Sequence, residues 1–428
     1  MRNFSHFWIV SMLKSDKTYI GRLLAAFVLT SLLTGLGGIL LHELQELVEK
    51  LAFGRGEASS QLLLFGHVST ERRFLAVFAA GILSALIWYL IQRKNRQIIS
   101  VRSQVSLDKK ASYRPILWIH LCNIFLQIAS VAAGSPIGKE GAPRELGALT
   151  AGRISDYFHL PLSDRKLLIA CGAAAGLAAV YQVPFASVFF VFETLAVGFS
   201  FRNGLLALLS TVLAAAVAQV VIPDLPLYRT GQLTTNCSTL LLAIAVGAVV
   251  GPLAKGFRQL TSWAQSHKTK DSAILWQLPL SFLLLAAIAL IFPELLGNGG
   301  ALAEKLFAGM PLIQALIILP IKAFLVLLVL RTGAYGGTLT PSFSMGAVCA
   351  FILVSGLHLI FPVLSMTAAL LLGAAVFLAT TMKAPLTAVG LVISFTGQSY
   401  PSYLPFLLAV AAAYVVNTYL FNHPKKQK

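Results

Sequence analysis

An ionisable glutamate, Glu140, lies in a glycine- and proline-rich break between two apolar runs. The break reads G-S-P-I-G-K-E-G-A-P over residues 134–143 and follows an apolar run over residues 116–133. Polar, non-helical backbone at membrane depth is tolerated only inside protein or along a water-filled path. A carboxylate in such a place can bind and release a proton. The break is therefore the first candidate for a functional site.

Pro143 predicts that a helix begins directly after this break. Proline is favourable in the first turn of a helix, because its missing N–H needs no partner there. A helix that begins near Gly141 would direct free N–H groups and the positive end of its dipole at the break, which suits a small anion. The carboxylate of Glu140 can occupy the same place. We therefore predict one site that alternates between an ion and a side chain.

The alternative interpretation is that Lys139 and Glu140 are loop residues at a membrane surface that face water. A second break favours the functional interpretation. It reads G-A-Y-G-G-T-L-T-P over residues 333–341, follows an apolar run over residues 312–330 and again ends in a proline. Two interrupted segments in corresponding halves of a chain indicate the binding site of a transporter.

The composition is typical of a helical membrane protein. Of the 428 residues, 57% are hydrophobic and 11% are charged, and the mean hydropathy is +0.80. Long apolar runs, rather than ten-residue alternations, argue against a β-barrel. The formal net charge is +17, but the basic residues gather in short loops and termini. We interpret them as topology signals and expect no nucleic-acid partner.

The basic residues also predict topology and domain limits. The densest cluster lies in one connection over residues 93–114, and the chain ends K-K-Q-K. The positive-inside rule makes both cytoplasmic, and the N-terminus with them, in a multi-pass protein of the cell (inner) membrane. Several apolar runs are short, so tilted or re-entrant helices are expected. The predicted parts are an N-terminal segment 1–18, a first transmembrane repeat 19–222, a linker 223–237, a second repeat 238–421 and a basic tail 422–428.

Taken together, these motifs resemble the CLC family of chloride channels and anion/proton antiporters. Residues 138–143, G-K-E-G-A-P, resemble the family's G-R-E-G-P motif, and residues 336–341, G-G-T-L-T-P, resemble its G-x-F-x-P motif. Residues 170–176, A-C-G-A-A-A-G, with Pro184 are similar to its helix-packing signature. The resemblance implies an all-α membrane fold of two inverted-topology repeats with tilted and broken helices. It also implies a homodimer in which each subunit has its own pore.

The resemblance implies roles for individual residues. Glu140 would be the external gating glutamate, which blocks the site when ionised and swings away when protonated, so that anion and proton exchange through one residue. The backbone amides near Gly141 and Ala142 and those of Leu339 and Thr340 would contact the anion. The surrounding motif residues are Gly138, Lys139, Pro143, Gly337 and Pro341.

The first departure from the family pattern concerns the anion contacts. Val101 stands where the family carries an ion-contacting serine, unless Ser100 or Ser103 takes that role. Leu339 replaces the phenylalanine that is usual in chloride-type members. Lys139 keeps the positive charge of the family's arginine but lacks the planar, forked guanidinium group.

The second departure concerns the proton path and the central tyrosine. The inner proton-relay glutamate of the family falls at Thr194, one residue after Glu193. The central tyrosine has no clear counterpart, and Tyr419 or Tyr414 would have to replace it as an anion contact.

These departures, with the T-L-T-P motif, look like the fluoride-exporting branch of the family. Fluoride is small and strongly hydrated, so its site must offer several close donors to offset desolvation, and the Thr340 hydroxyl with convergent amides would help supply them. We expect a halide transporter that exchanges fluoride for protons. A chloride/proton antiporter remains an alternative, and so does a passive voltage-gated-type chloride channel. The channel remains an alternative because Thr194 stands where the family has its proton-relay glutamate.

Other classes of protein explain less of the sequence. An enzyme is not expected, because no nucleophile–base pair or metal-binding motif is visible. A lipid-binding or scaffold protein would account for the basic loops but not for the two breaks. We expect no cofactor and no metal; the expected partners are fluoride or chloride, protons, membrane lipid and a second copy of the chain. The four cysteines are expected to be small buried hydrophobic residues.

Overall fold

The computed structural model describes residues 17–54, 60–93, 98–106 and 115–421. Within these ranges the chain forms seventeen α-helices and two short 3₁₀ turns, and its β-structure is one isolated bridge. The helices are α1 Lys17–Phe53, α2 Gln61–Gly66, α3 Thr70–Gln92, α4 Val101–Ser106, α5 Leu117–Ala132, α6 Gly141–Tyr157, α7 Leu162–Tyr181, α8 Pro184–Glu193, α9 Phe201–Ala218, α10 Cys237–Ser266, α11 Ile274–Ile288, α12 Gly300–Ala308, α13 Leu312–Arg331, α14 Leu339–Leu357, α15 Met366–Met382, α16 Pro385–Thr396 and α17 Tyr403–Phe421.

The lengths of these helices make the chain a multi-pass membrane protein. Seven helices of the described chain are long and apolar enough to cross a membrane, namely α1, α3, α9, α10, α13, α14 and α17. Five further apolar helices have only 10–17 residues, namely α5, α8, α11, α15 and α16. The prediction of short apolar helices beside full spans is therefore confirmed. Most of the predicted N-terminal segment, much of the basic connection and the basic tail lie outside the described residues.

Contacts divide the chain into two compact units. The first comprises residues 1–39, 99–117 and 143–222, and the second comprises residues 40–98, 118–142 and 223–428. The predicted repeats, 19–222 and 238–421, concern internal symmetry rather than contacts and stay a prediction.

Small residues hold the helices of the first unit together. Side chains of α7 and α9 form a core whose members include Ala175, Ala179, Ala214 and Ala218. A Cβ added at Gly176 would collide with the carbonyl of Pro143, because the backbones of α6 and α7 approach closely there. The packing role predicted for the segment A-C-G-A-A-A-G is confirmed.

Helix α14 lies in the interior of the second unit. Within its most apolar stretch of 18 residues, 72% of the residues are buried. Gly346 on α14 and Gly373 on α15 bring the two backbones together, since a Cβ on either residue would meet the carbonyl of the other. Burial of the cysteines is only partly as expected: Cys171 and Cys349 are buried, whereas Cys122 and Cys237 are exposed. The expectation that all four are buried is wrong for the second pair.

Candidate anion site

The first break has the local structure that its sequence predicts. After α5 the chain turns at Gly134, whose φ of +106° is a left-handed value that glycine adopts without strain. The amide of Ser135 donates to the carbonyl of Ser130 at 3.0 Å, which closes the end of the helix. Helix α6 then begins at Gly141 and contains Pro143 in its first turn. The predicted restart of the helix is confirmed.

The second break follows the same plan. After α13 the chain turns at Gly333, with a φ of +127°, and the amide of Ala334 donates to the carbonyl of Val329 at 3.2 Å. Helix α14 begins at Leu339 and contains Pro341 in its first turn. Both breaks therefore end at the start of a helix with proline in its first turn.

The two breaks are joined by backbone hydrogen bonds. The amide of Gly138 donates to the carbonyl of Gly337 at 2.7 Å, and the amide of Gly337 donates to the carbonyl of Gly138 at 2.9 Å. This antiparallel bridge is the one that interrupts the otherwise helical structure of the described residues. Because it pairs the middle of one break with the middle of the other, it brings the start of α14 next to Glu140.

The carboxylate of Glu140 lies at the start of α14. Its Oε1 atom accepts a hydrogen bond from the amide of Leu339 at 2.6 Å, and only 1% of Glu140 is exposed. A charge-assisted bond of this kind, at the positive end of a helix dipole, stabilises an anionic oxygen. The carboxylate of Glu140 thus lies at the start of α14, the helix of the second break, and not at the start of α6.

Two glycines make room for this carboxylate. A Cβ added at Gly138 or at Gly337 would collide with the carboxylate of Glu140, and neither glycine has a left-handed φ. Close approach of the side chain therefore accounts for both glycines. A Cβ at Gly141 would instead collide with the side chain of Gln127.

The charge of Lys139 is directed at α1. Its Nζ donates to Oε1 of Gln45 at 2.5 Å, and Nε2 of Gln45 donates to Oε1 of Glu49 at 2.8 Å. All three side chains are buried. Lys139 therefore belongs to a buried polar row that supports the first break.

A second buried lysine, Lys322 of α13, also supports the first break. Its Nζ donates to the carbonyls of Leu295 and Gly297, both at 2.9 Å, and the side chain is fully buried. The amide of Gly297 in turn donates to the carbonyl of Gly134 at 3.0 Å. Lys322 is not among the site residues predicted from the sequence, although a lone lysine in the apolar run 312–330 is a signal of a functional or supporting role.

The second break is supported directly by Lys268, which lies between α10 and α11. Its Nζ donates to the carbonyl of Ala334 at 2.7 Å and lies 3.7 Å from the ring centroid of Tyr335. Tyr335 packs against Trp88, with ring centroids 5.8 Å apart. Burial, assisted by the charge of Lys270, lowers the pKa of Lys268 to about 7. The sequence alone indicates only a topology signal at this residue.

The other backbone amides predicted to bind the anion differ from that of Leu339 in their hydrogen bonds. The amide of Ala142 donates to the carbonyl of Lys139 at 3.3 Å, so it already has a local partner. Thr340, next to Leu339, is 2% exposed and lies in the first turn of α14. Of the predicted amides, that of Leu339 is the one whose bond to Glu140 defines the site.

Val101 lies in the first compact unit, at the start of α4. The Ser100 hydroxyl accepts a hydrogen bond from the amide of Ser103 at 3.1 Å and is 2.8 Å from the Ser103 hydroxyl. Both hydroxyls therefore act locally at this helix start. A contact between Val101 and the anion stays a prediction.

The tyrosine and proton-path candidates lie elsewhere. Tyr419 and Tyr414 of α17 are 71% and 73% exposed, whereas Glu140 is enclosed. An anion contact by either tyrosine stays a prediction. Thr194 follows the last residue of α8, and its Oγ1 is buried without a hydrogen bond to any described residue. Glu193 is half-buried at the end of α8.

A comparison with known families identifies the architecture. The family model described as "Voltage gated chloride channel" matches residues 80–418, which include both breaks. The chain belongs to this family of chloride channels. Its fold is the all-helical CLC type, which confirms the resemblance seen in the motifs.

Relatives in the chloride channel family include both channels and exchangers. The voltage-gated ClC-type chloride channel ClcB of Escherichia coli is 30% identical over 373 residues, which are 82% of this chain and 85% of that protein. The H(+)/Cl(-) exchange transporter ClcA of Vibrio parahaemolyticus is 25% identical over 369 residues, which are 82% of this chain and 78% of that protein.

Two solved structures of the family share the fold. A slow cyanobacterial Cl⁻/H⁺ antiporter has a TM-score of 0.79 at 20% identity, with coverage of 94% of this chain and 96% of that one. A CLC-type fluoride/proton antiporter has a TM-score of 0.73 at 19% identity, with the same coverage of both chains.

Proposed function

We propose that the protein is a halide/proton antiporter of the cell membrane, in which Glu140 couples the two movements and fluoride is the preferred anion. The observation that carries the proposal is the bond between the Glu140 carboxylate and the amide that begins α14. Membership of a family with a named H(+)/Cl(-) exchanger among the relatives supports it. Transport, not catalysis, is the proposed activity.

Competition for one donor explains how the coupling works. An ionised Glu140 accepts the hydrogen bond from Leu339 and holds the anion's place at the start of α14. A protonated carboxyl loses its charge, so it gains less from the helix dipole and from the amide. The amide is then available to an anion. Each anion that binds therefore requires a proton on Glu140, and each proton that leaves returns the carboxylate to the amide.

The preference for fluoride rests on the donors at the start of α14. A small, strongly hydrated anion needs short, charge-assisted bonds to replace its water. Thr340 offers a hydroxyl in addition to an amide, and it is buried beside Leu339. The bulky ring of the usual phenylalanine is absent at Leu339. Chloride/proton exchange and a passive chloride channel are the competing functions. The channel is a candidate because Thr194 stands where the family has its proton-relay glutamate.

The proposed assembly follows from the same reasoning. We expect a homodimer with one pore for each subunit, and both termini in the cytoplasm of a cell whose inner membrane holds the protein. The basic connection and tail provide the support for this orientation.

The test measures ion movement from proteoliposomes loaded with both potassium fluoride and potassium chloride. Ion-selective electrodes follow both halides while the external pH is recorded, and valinomycin carries the compensating potassium current. Fluoride efflux much faster than chloride efflux, with protons moving the opposite way, is the expected result. Comparable chloride efflux with proton movement would indicate the chloride/proton antiporter instead, and efflux without proton movement would indicate a channel.

The variant Glu140→Gln tests the role of the carboxylate. We expect it to abolish proton movement, because a glutamine cannot titrate, while anion movement continues. The matched control is Glu145→Gln, which removes another buried carboxylate of α6 and should retain coupled exchange. Persistent proton coupling in Glu140→Gln would remove Glu140 from the mechanism.

A further inference from the structure

A cavity of about 710 Å³ lies in the second unit, apart from the paired breaks. It is lined by parts of α10, α15, α16 and α17, and three of its lining residues are cations, Lys255, Arg258 and Lys383. No carboxylate is among the described residues that line it. Like charges that line one cavity repel each other, so an anionic ligand would stabilise this arrangement.

A helix start adds to the positive charge of this cavity. Pro385, the first residue of α16, lines the cavity two residues after Lys383. The amino end of a helix carries a partial positive charge and attracts anions, phosphate in particular. The helix dipole and the three side chains therefore favour the same kind of ligand.

Part of the remaining cavity wall is apolar. Leu407, Val410 and Ala411 of α17 line it, and Leu407 is 44% exposed. A halide is about the size of a water molecule, whose share of liquid volume is about 30 Å³, so it would fill only a small part of the space. A ligand with an anionic head and an apolar stem matches both the cationic and the apolar residues of the lining.

Asn417 supplies a second, independent sign of a ligand. Its side chain lines the cavity, is 9% exposed, and its Oδ1 has no hydrogen-bond partner among the described residues. Its backbone carbonyl accepts a hydrogen bond from Nζ of Lys255 at 3.2 Å, which places a cation next to it. A buried acceptor without a donor is costly, so a ligand with a hydroxyl group would satisfy it.

We propose that this cavity binds the headgroup of an anionic glycerophospholipid that also carries a hydroxyl, such as a phosphatidylglycerol. The phosphate interacts with Lys255, Arg258 and Lys383, the headgroup hydroxyl donates to Asn417, and the beginning of an acyl chain packs on Leu407 and Val410. Basic pockets between membrane helices on the cytoplasmic side are suited to such headgroups. The cavity extends to the C-terminal ends of α15 and α17, the side that the positive-inside rule predicts to be cytoplasmic.

Native mass spectrometry of the full chain in detergent tests the proposal. Phosphatidylglycerol is titrated against phosphatidylcholine with the same acyl chains, and the wild type should bind the first at least about tenfold more tightly. The triple variant Lys255→Gln, Arg258→Gln and Lys383→Gln should lose that preference. The control triple variant removes three exposed cations elsewhere, Arg22→Gln, Arg93→Gln and Arg102→Gln, and should keep it.

Two competing ligands are separated by added salts. Inorganic phosphate or potassium fluoride, each added at matched ionic strength, should leave phosphatidylglycerol bound. Displacement by phosphate would indicate a site for a soluble phosphate, and displacement by fluoride would indicate a halide vestibule; either result would overturn the lipid assignment. Equal binding of the two lipids by the wild type, or unchanged binding by the triple variant, would also overturn it.

A milder variant keeps the proposal testable if the triple variant does not fold. Asn417→Leu removes the acceptor for the headgroup hydroxyl and leaves all three cations in place. It should weaken phosphatidylglycerol several-fold while leaving phosphatidic acid, which lacks that hydroxyl, unchanged. An equal loss for both lipids would mean that Asn417 acts only by packing, and no loss for either would remove it from the site.

Discussion

The two glycine breaks share a plan but contribute different groups to the site. Each turns at a left-handed glycine and ends in a helix with proline in its first turn. The first break supplies the side chain, Glu140, and the second supplies the donor, the amide of Leu339. The amide of Ala142, in the first break's own helix, bonds to Lys139. A repeated motif therefore produces two helix starts, of which one holds the carboxylate.

The support of the two breaks differs as well. Lys322 reaches the first break indirectly, through Gly297 and Gly134. Lys268 reaches the second break directly, at the carbonyl of Ala334. Variants at these positions should therefore separate what each break does.

After Glu140→Gln, the largest effect on coupling is expected for Gly337→Ala. The new methyl group would collide with the Glu140 carboxylate, which is the movable end of a side chain, so the carboxylate should leave the amide of Leu339. Protein stability should fall by only about 1.5–3 kcal/mol, the range for a hydrogen bond to a charged group. Anion efflux should continue, because the anion no longer competes with the carboxylate for the amide of Leu339. The number of protons moved per anion should drop by about tenfold, since the lost hydrogen bond corresponds to at least a factor of ten in binding.

The matched control for this variant is Gly336→Ala. There the methyl group would meet the side chain of Ile137 and the backbone of Gly138, not the carboxylate. If Gly336→Ala uncouples protons as strongly as Gly337→Ala, then disturbance of the paired breaks, and not displacement of Glu140, explains the effect.

Next in size is the loss of stability in Lys322→Met. Two buried carbonyls lose their donor, and each unsatisfied group costs about 1–3 kcal/mol. The thermal unfolding midpoint in detergent should fall clearly, whereas Arg22→Met, which removes an exposed cation, should leave it nearly unchanged. A variant Lys322→Met as stable as the wild type would show that the first break does not depend on this lysine.

A smaller, pH-dependent effect is expected at the second break. The pKa of Lys268 is about 7 in the folded protein, below its ordinary value of 10.5, because burial and Lys270 disfavour the charged form. Between these two values the unfolded chain binds more protons than the folded chain, so the contribution of Lys268 to stability rises with pH across that window.

Thermal unfolding midpoints measured from pH 6 to pH 10 check this sign. Lys268→Met should lack the rise that the wild type shows, after subtraction of the common background. Lys270→Met removes the neighbouring like charge and should move the start of the rise to higher pH. A wild type whose midpoint falls over this range relative to Lys268→Met would contradict a lowered pKa for Lys268.

The smallest effects are expected for the prolines that begin the two helices. Pro143→Ala and Pro341→Ala each remove a preset backbone angle and should cost less than about 1 kcal/mol of stability. Only Pro341→Ala should alter the ratio of protons to anions, because its helix begins with the donor to Glu140. A larger change in Pro143→Ala would reverse the roles assigned to the two breaks.

Much of the local structure was predictable from the sequence. The helix starts at Gly141 and Leu339, the turns before them and the mixture of long and short apolar helices follow from preferences that act within a few residues. Glycine permits the left-handed turns, and proline favours the first turn of the next helix. Sequence position did not reveal that Tyr419 is 71% exposed, and its contact with the anion stays a prediction.

By itself, the sequence determined the membrane class, the family and the presence of an ionisable carboxyl group, that of Glu140, in the first break. Tertiary structure alone decided which amide Glu140 binds, because Leu339 is 199 residues away along the chain. It also decided that Gly138 pairs with Gly337, and that Lys322 and Lys268 each hold one break. The physical reason is that turns and helix starts depend on neighbours in sequence, whereas the partner of a buried polar group depends on which segments packing brings together.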